Sequence, residues 1–284
     1  MLMKLLAISL FFIIIVFIIT GILYAQPRFY PWLDKYKTSE TVVSRISTPD
    51  GYERTETPPG TFADWLRHIP LKKRRPAIRL YDGQKKRNQK AHFAVVDIDV
   101  GSKNLQQCAD AVIRLRAEYL YSVGDYEGIH FNFTSGDKAS FTEWIEGYRP
   151  VVSDNNKVSW IKSGVRDSSY QNFRKYLERV FIYAGSFSLK KEMQNVQNTD
   201  EMQIGDVFVQ GGFPGHAVIV VDMALSKDSG KKLFLLAQSY MPAQDIHILR
   251  NPTNSGLDPW YKLDFGEILH TPEWTFKRED LRRF

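Results

Sequence analysis

The sequence predicts an α+β protein in which an antiparallel sheet packs on one helix carrying the chain's sole cysteine. Three observations point there. The last third holds strong strand signals joined by tight turns, GDVFVQ (205–210), HAVIVVD (216–222), KKLFLLAQSY (231–240) and DIHIL (245–249), and consecutive short strands of this kind pair antiparallel. An earlier apolar strand, AHFAVVDIDVG (91–101), closes on glycine and leads straight into a helical stretch. That stretch, NLQQCADAVIRLRAEYLY (104–121), sets Val112, Leu115 and Tyr119 at successive spacings of four, three and four after Cys108, so the thiol shares the core-facing side.

The elements follow in chain order. Residues 1–25 carry one lysine and an unbroken apolar run, which makes them a signal peptide or an N-terminal membrane anchor. Ala25 suits a signal peptidase, whereas the length of the run suits a retained span. Either places the folded part outside the cytoplasm, membrane-anchored or secreted into a periplasm or medium. No cysteine near the N-terminus offers a site for lipidation. Residues 26–60 are polar and turn-rich, the pattern of a linker and irregular lead-in. A single α+β domain then spans 61–284, with an aromatic-rich insertion at about 124–200.

Asn104 is placed to cap the cysteine helix, with Gln107 three residues on completing a capping-box spacing, so Cys108 falls in the first turn. Within the insertion, IHFNF reads as a strand and SSYQNFRKYLERVFIYAG as a helix with a Ser168–Gln171 box and a stop at Gly185.

The composition, 43% hydrophobic over 284 residues, suits an ordinary globular core and excludes a disordered chain or a multi-span membrane protein. The formal net charge is +6, and cations cluster in LKKRRPAIR (71–79) and QKKRNQK (84–90). These runs face an anionic lipid or cell-envelope polymer, or else form a solvated loop surface. No nucleic-acid-binding signature accompanies them, and no nucleic-acid partner is expected.

Exported domains use cysteines in pairs, so a lone Cys108 is either an inert core residue or a working thiol. A working thiol needs a helix N-terminus, which its position supplies, and a neighbouring imidazole. Among six histidines, His68, His130 and His270 read as filler and His92 is a minor candidate. His216 differs, because GGFPGHAVIVVD puts it at the mouth of an apolar strand directly after a Pro-Gly turn. Strand alternation adds Gln238, a polar side chain on the face of Phe234 and Leu236 that needs a hydrogen-bond partner. The ring N–H of His216 would serve, and Gln238 would then fix the imidazole tautomer.

A cysteine in the first turn of a helix, followed by GDVFVQ, GHAVIVVD and LLAQSY, resembles the NlpC-type and CHAP amidases and peptidases, which share a papain-like fold. Gln107 directly before Cys108 is similar to the CHAP pattern. The resemblance covers about 91–125 and 201–250. It implies Cys108 as nucleophile, His216 as general base and Gln238 as orienting residue of a Cys-His-Gln triad acting on peptidoglycan peptides. Helix N-terminal amides, with Gln107 near, would stabilise the oxyanion. The sequence departs from those families in its Gln-Cys-Ala-Asp context and in the longer stretch from Cys108 to His216, an insertion long enough to roof a groove. From about Val42 onward, segments such as RLYDGQKKRNQ, IHFNFTSG and LLAQSYMPAQDIHIL more closely resemble a bacterial family known only as a domain of unknown function.

Candidates for a substrate groove are His92, Phe131, Phe133 and Trp144, whose side chains read equally as core. Asp222 lies six residues beyond His216 on the same strand, roughly 20 Å away at about 3.3 Å per residue, too far to be a triad acid. The pattern holds no zinc or nucleotide motif, and neither a metal nor a cofactor is expected. The competing reading is a catalytically silent extracytoplasmic binding or assembly module that uses the aromatic insertion as its surface.

Overall fold

The computed structural model describes residues 30–155 and 157–284. The predicted signal or anchor at 1–25 lies outside them. Among the described residues, no helix is long and apolar enough to cross a membrane.

Packing begins sooner than the polar composition of 26–60 suggests. Tyr30 is buried and its hydroxyl donates to Trp65 O at 3.0 Å, while Trp32 Nε1 donates to Asp97 O at 2.6 Å. Helix α1 (Val42–Arg45) and strand β1 (Tyr52–Arg54) follow, and then α2 (Phe62–Arg67). Tyr30, Trp32 and Trp65 form one aromatic cluster. These anchors are scattered among polar residues without a period, so the sequence hides them.

Strand β2 (His92–Val95) is the short core of the predicted 91–101 strand. Helix α3 (Cys108–Ser122) carries the cysteine. The insertion contains two hairpins, β3 (His130–Asn132) with β4 (Lys138–Ser140), and β5 (Tyr148–Val152) with β6 (Val158–Lys162), separated by α4 (Phe141–Ile145). Helix α5 (Tyr170–Tyr183) is capped by Ser169 Oγ, which accepts from Asn172 N at 3.2 Å. It ends at Tyr183, close to the expected stop at Gly185, and Gly185 then caps a further helix, α6 (Ser186–Glu192), before β7 (Gln194–Asn195).

The last third supplies β8 (Val207–Gln210), β9 (His216–Ser226), β10 (Lys232–Gln238), β11 (His247–Leu249), β12 (Tyr261–Lys262), the hairpin β13 (Ile268–His270) and β14 (Thr275–Lys277), and β15 (Leu281–Arg283). The main sheet runs β2-β11-β10-β9-β8-β15-β7, with β1 on β9 and β12 on β10, and every pairing is antiparallel. Helix α3 lies against β9. The mixed α+β class and its antiparallel sheet are thus as the strand pattern predicts.

Two buried polar clusters tie the layers together. Asp222, within β9, accepts from Arg54 Nε at 2.7 Å and from Arg67 Nε at 2.6 Å, joining β1 and α2 to the central strand. On α3, the fully buried Arg114 pairs with Asp99 at 2.7 Å and Glu118 at 3.3 Å, and Glu118 accepts from Tyr170 Oη of α5 at 2.8 Å. The insertion is therefore bound to the cysteine helix by desolvated charges.

Candidate active site

Helix α3 begins one turn later than its polar lead suggests. Gln107, not Asn104, holds the N-cap position, and its backbone N–H donates to Asp110 Oδ2 at 3.0 Å. Asn104 Oδ1 accepts instead from Ala243 N at 2.7 Å and from Gln107 Nε2 at 3.3 Å. Cys108 is consequently the first helical residue. Its Sγ donates to Gly215 O at 3.9 Å, and the N–H of Ala217 also faces it, so the sulfur meets the backbone on both sides of His216. Gly215 has no room for a side chain, since a Cβ would lie 2.1 Å from Ser186 Oγ and 2.7 Å from Gln210 O. Cys108 lines a cavity with Gln107, Asp110, Ser186, Phe213 and Met241, and Phe213 stands fully exposed at its rim.

His216 is completely buried and boxed by aromatic rings. Tyr240, Trp274 and Phe276 lie 4.9, 5.2 and 5.8 Å from it, centroid to centroid. Its Nε2 is 2.8 Å from Gln238 Oε1. An amide oxygen only accepts, so Nε2 carries the proton and Nδ1 presents its lone pair. Among the described residues that Nδ1 has no partner.

The orientation of Gln238 is itself fixed from behind. Gln238 Nε2 donates to Glu273 Oε2 at 3.0 Å and faces His247 Nε2 at 3.4 Å, directly opposite on β11. His247 Nδ1 donates to Asp245 O at 2.9 Å, which leaves its Nε2 an acceptor. A flipped amide would set its oxygen against two acceptors, so only one orientation of Gln238 is favourable. Glu273 accepts in addition from Lys86 Nζ at 2.6 Å and Asn88 Nδ2 at 3.2 Å. Trp274, its neighbour, donates to Gln210 Oε1 at 2.9 Å, latching the β13–β14 hairpin over His216.

This chain of acceptors yields a prediction. Glu273→Gln removes the group that defines the Gln238 amide, so nitrogen NMR of His216 will show the Nδ1–H tautomer gaining population, whereas Glu273→Asp will keep Nε2–H. An unchanged tautomer in the Glu273→Gln protein would refute the relay.

The electrostatics correct one sequence expectation. Burial, and then the nearby Asp110 carboxyl, push the Cys108 pKa up to about 11, outweighing the lowering by the backbone N–H groups of Ala217, Ala109 and Cys108 itself. Burial likewise pushes Asp110 up to about 8, and lowers His216 to about 4, assisted by the Lys86 charge. The resting pair is a neutral thiol and a neutral imidazole. Iodoacetamide alkylation of Cys108 in the full chain should therefore inflect near 11, above the ordinary thiol value of about 8.5. Asp110→Asn should bring the inflection down. An inflection below the ordinary value would contradict this picture.

With that geometry in place, comparison identifies the lineage. The sequence profile of a family described as Domain of unknown function (4846) matches residues 42–283. The chain belongs to that family. No curated protein and no solved structure matches it.

In this member of the family of unknown function, Cys108 and Gln107 line one cavity together with Gly215. His216 and Gln238 are buried and hydrogen-bonded to each other next to Gly215 without lining it, and none of the four groove candidates lines it. Phe131, Phe133 and Trp144 are buried in the insertion's own aromatic core, with Trp144 Nε1 donating to Asn172 Oδ1 at 2.9 Å. His92 is buried on β2 with Nε2 bound to Pro76 O at 3.0 Å. None of the four lines the Cys108 cavity, although Phe133 lines a separate pocket within the insertion with Val152, Val158 and Tyr183. The sequence reading missed Glu273, Trp274, Lys86 and His247. An acid beside a tryptophan after the Thr-Pro turn of LHTPEW is the only local signal, and nothing in the chain links it to His216.

Proposed function

We propose that the chain is a cysteine hydrolase with a papain-like core, cleaving amide bonds of cell-envelope peptides outside the cytoplasm. The observation that carries this reading is the buried Nδ1 of His216, unpartnered among the described residues and oriented by Gln238 at 2.8 Å on its far nitrogen, with Cys108 Sγ at a helix N-terminus meeting the carbonyl of the preceding Gly215. The placement of nucleophile on a helix and base on the adjoining antiparallel strand supports the papain-like comparison.

Because thiol and imidazole start neutral, attack is coupled to proton transfer. His216 Nδ1 takes the Cys108 proton as the Sγ–C bond forms, and the imidazolium returns it to the departing amine. Water, deprotonated by the same nitrogen, then releases the acid from the thioester. The Cys108 backbone N–H holds the oxyanion, joined by Gln107 once its amide turns from Asn104.

The test is incubation of the full chain with purified peptidoglycan stem peptides, with new amino termini followed by mass spectrometry. Products absent with Cys108→Ala support the reading. A second reading, a silent binding module, is favoured by the elevated thiol pKa. It predicts no product and no covalent adduct with a peptide aldehyde.

A further inference from the structure

The two basic runs of the sequence fold into one lobe. Arg79 and Lys85 form an antiparallel bridge, Lys86 N donates to Ile78 O at 3.0 Å, and Gln89 Oε1 accepts from Ile78 N at 2.9 Å. The lobe is fastened to the segment following Gln238. Leu80 bridges to Gln244, Tyr81 N donates to Ala243 O at 2.9 Å, and Asp245 Oδ2 accepts from Arg79 N at 2.8 Å.

Two of the lobe's cations are spoken for, Lys72 by Asp245 and Lys86 by Glu273. Lys73, Arg79, Lys85, Arg87 and Lys90 are exposed, and the sole acidic residue between positions 71 and 90 is Asp82. Between the lobe and the site lies a cleft lined by Lys85, Lys86, Arg87, Tyr240, Gln244 and Glu273. Met241 forms a wall of both this cleft and the Cys108 cavity, so the two open side by side.

The groups in the cleft call for one chemistry. Lys86 is buried, with its ammonium 4.8 Å above the Tyr240 ring and bound to Glu273, so the only carboxylate there is already matched. Among the described residues no acidic group pairs with Lys85 or Arg87. Gln244 is 1% exposed, yet its amide nitrogen donates to nothing among the described residues. A buried donor without an acceptor, beside these two cations, is the complement of an anionic oxygen.

We propose that this cleft is a binding subsite for a carboxylate-bearing residue of the peptide substrate, one that flanks the amide presented to Cys108. The assignment names substrate chemistry for the proposed hydrolase and in that sense rests on it. An acidic side chain would reach the Lys85–Arg87 pair with its carboxylate and take the Gln244 amide as a third donor, while its backbone runs past Met241 towards the thiol. The aromatic insertion plays no part in this recognition.

The experiment is a calorimetric titration of the full chain carrying Cys108→Ala, with hexaglutamate and hexaglutamine as probes at about 0.15 M salt, where long-range attraction is largely screened. Hexaglutamate is expected to bind at least about tenfold more tightly than hexaglutamine. Lys85→Glu with Arg87→Glu should remove that preference. Lys73→Glu with Lys90→Glu makes the same charge change on the lobe outside the cleft and should weaken binding by less than about threefold. Gln244→Leu should weaken hexaglutamate binding and leave hexaglutamine unaffected. Equal losses from the two charge-reversed pairs, or no preference for hexaglutamate, would overturn the subsite. No turnover is read, so this result and the hydrolysis assay fail independently.

Discussion

On the proposed hydrolase reading, replacing Cys108 or His216 with Ala will slow stem-peptide hydrolysis by the full chain on the order of a thousandfold or more, and the double replacement will cost little beyond either single one. The two side chains act as one unit. Without Nδ1 of His216 the thiol, raised to about 11, stays almost wholly protonated at neutral pH, and without Sγ the base has nothing to activate. The fold should tolerate Cys108→Ala, whereas His216→Ala empties a fully buried aromatic box and leaves Gln238 Oε1 unpaired, and so costs more. Cys108 contributes one small buried side chain, so its loss costs about 1 kcal/mol of packing. Initial rates measured by mass spectrometry, with thermal unfolding alongside, make the comparison. Undiminished product formation by the Cys108→Ala protein would end the hydrolase reading.

The largest effect on stability belongs to Asp222→Ala. Its carboxylate, wholly buried in β9, receives Arg54 at 2.7 Å and Arg67 at 2.6 Å, and Arg67 is itself almost sealed from solvent. Removing the acid leaves two guanidinium groups facing each other across the central strand without an anion. Breaking a buried pair in this way costs about 3–5 kcal/mol, on the order of 10 °C in Tm for a domain this size. Urea unfolding measures it. A loss under about 1 kcal/mol would mean that Arg54 and Arg67 find water instead. Asp222 lies away from the cavity, so the activity of the folded fraction should stay unchanged.

These two expectations differ in how visible they are in the sequence. The pairing of His216 with Gln238 is legible because alternation along KKLFLLAQSY leaves one polar side chain on an apolar face, and a buried amide must find a partner. The α3 helix is legible from its apolar spacing. Its exact start is not, because Asn104 and Gln107 are both plausible caps and only the Asp110 carboxyl decides between them. The thiol pKa is hidden for a related reason. Spacing reveals that Cys108 sits at a helix N-terminus but not how deeply it is buried, and here burial outweighs the dipole. The role of Asp222 as the hub of two arginines, and that of Glu273 behind Gln238, depend on contacts across 155 and 35 residues of chain. No periodic pattern encodes such distances. Phe131, Phe133 and Trp144 illustrate a different ambiguity, since an aromatic cluster reads alike whether it faces a ligand or its own core, and here all three are buried while Phe133 also lines a pocket.

The hairpin that closes over His216 has a consequence in time. Cys108 precedes Trp274 by 166 positions, and synthesis at about 5–20 residues per second separates them by roughly 8–33 seconds. For most of that interval the growing chain has Cys108 without Gln238, and for all of it without Trp274 to close over His216. On the proposed hydrolase reading, the base is fully held only when the late hairpin docks, so reactivity would come last in synthesis.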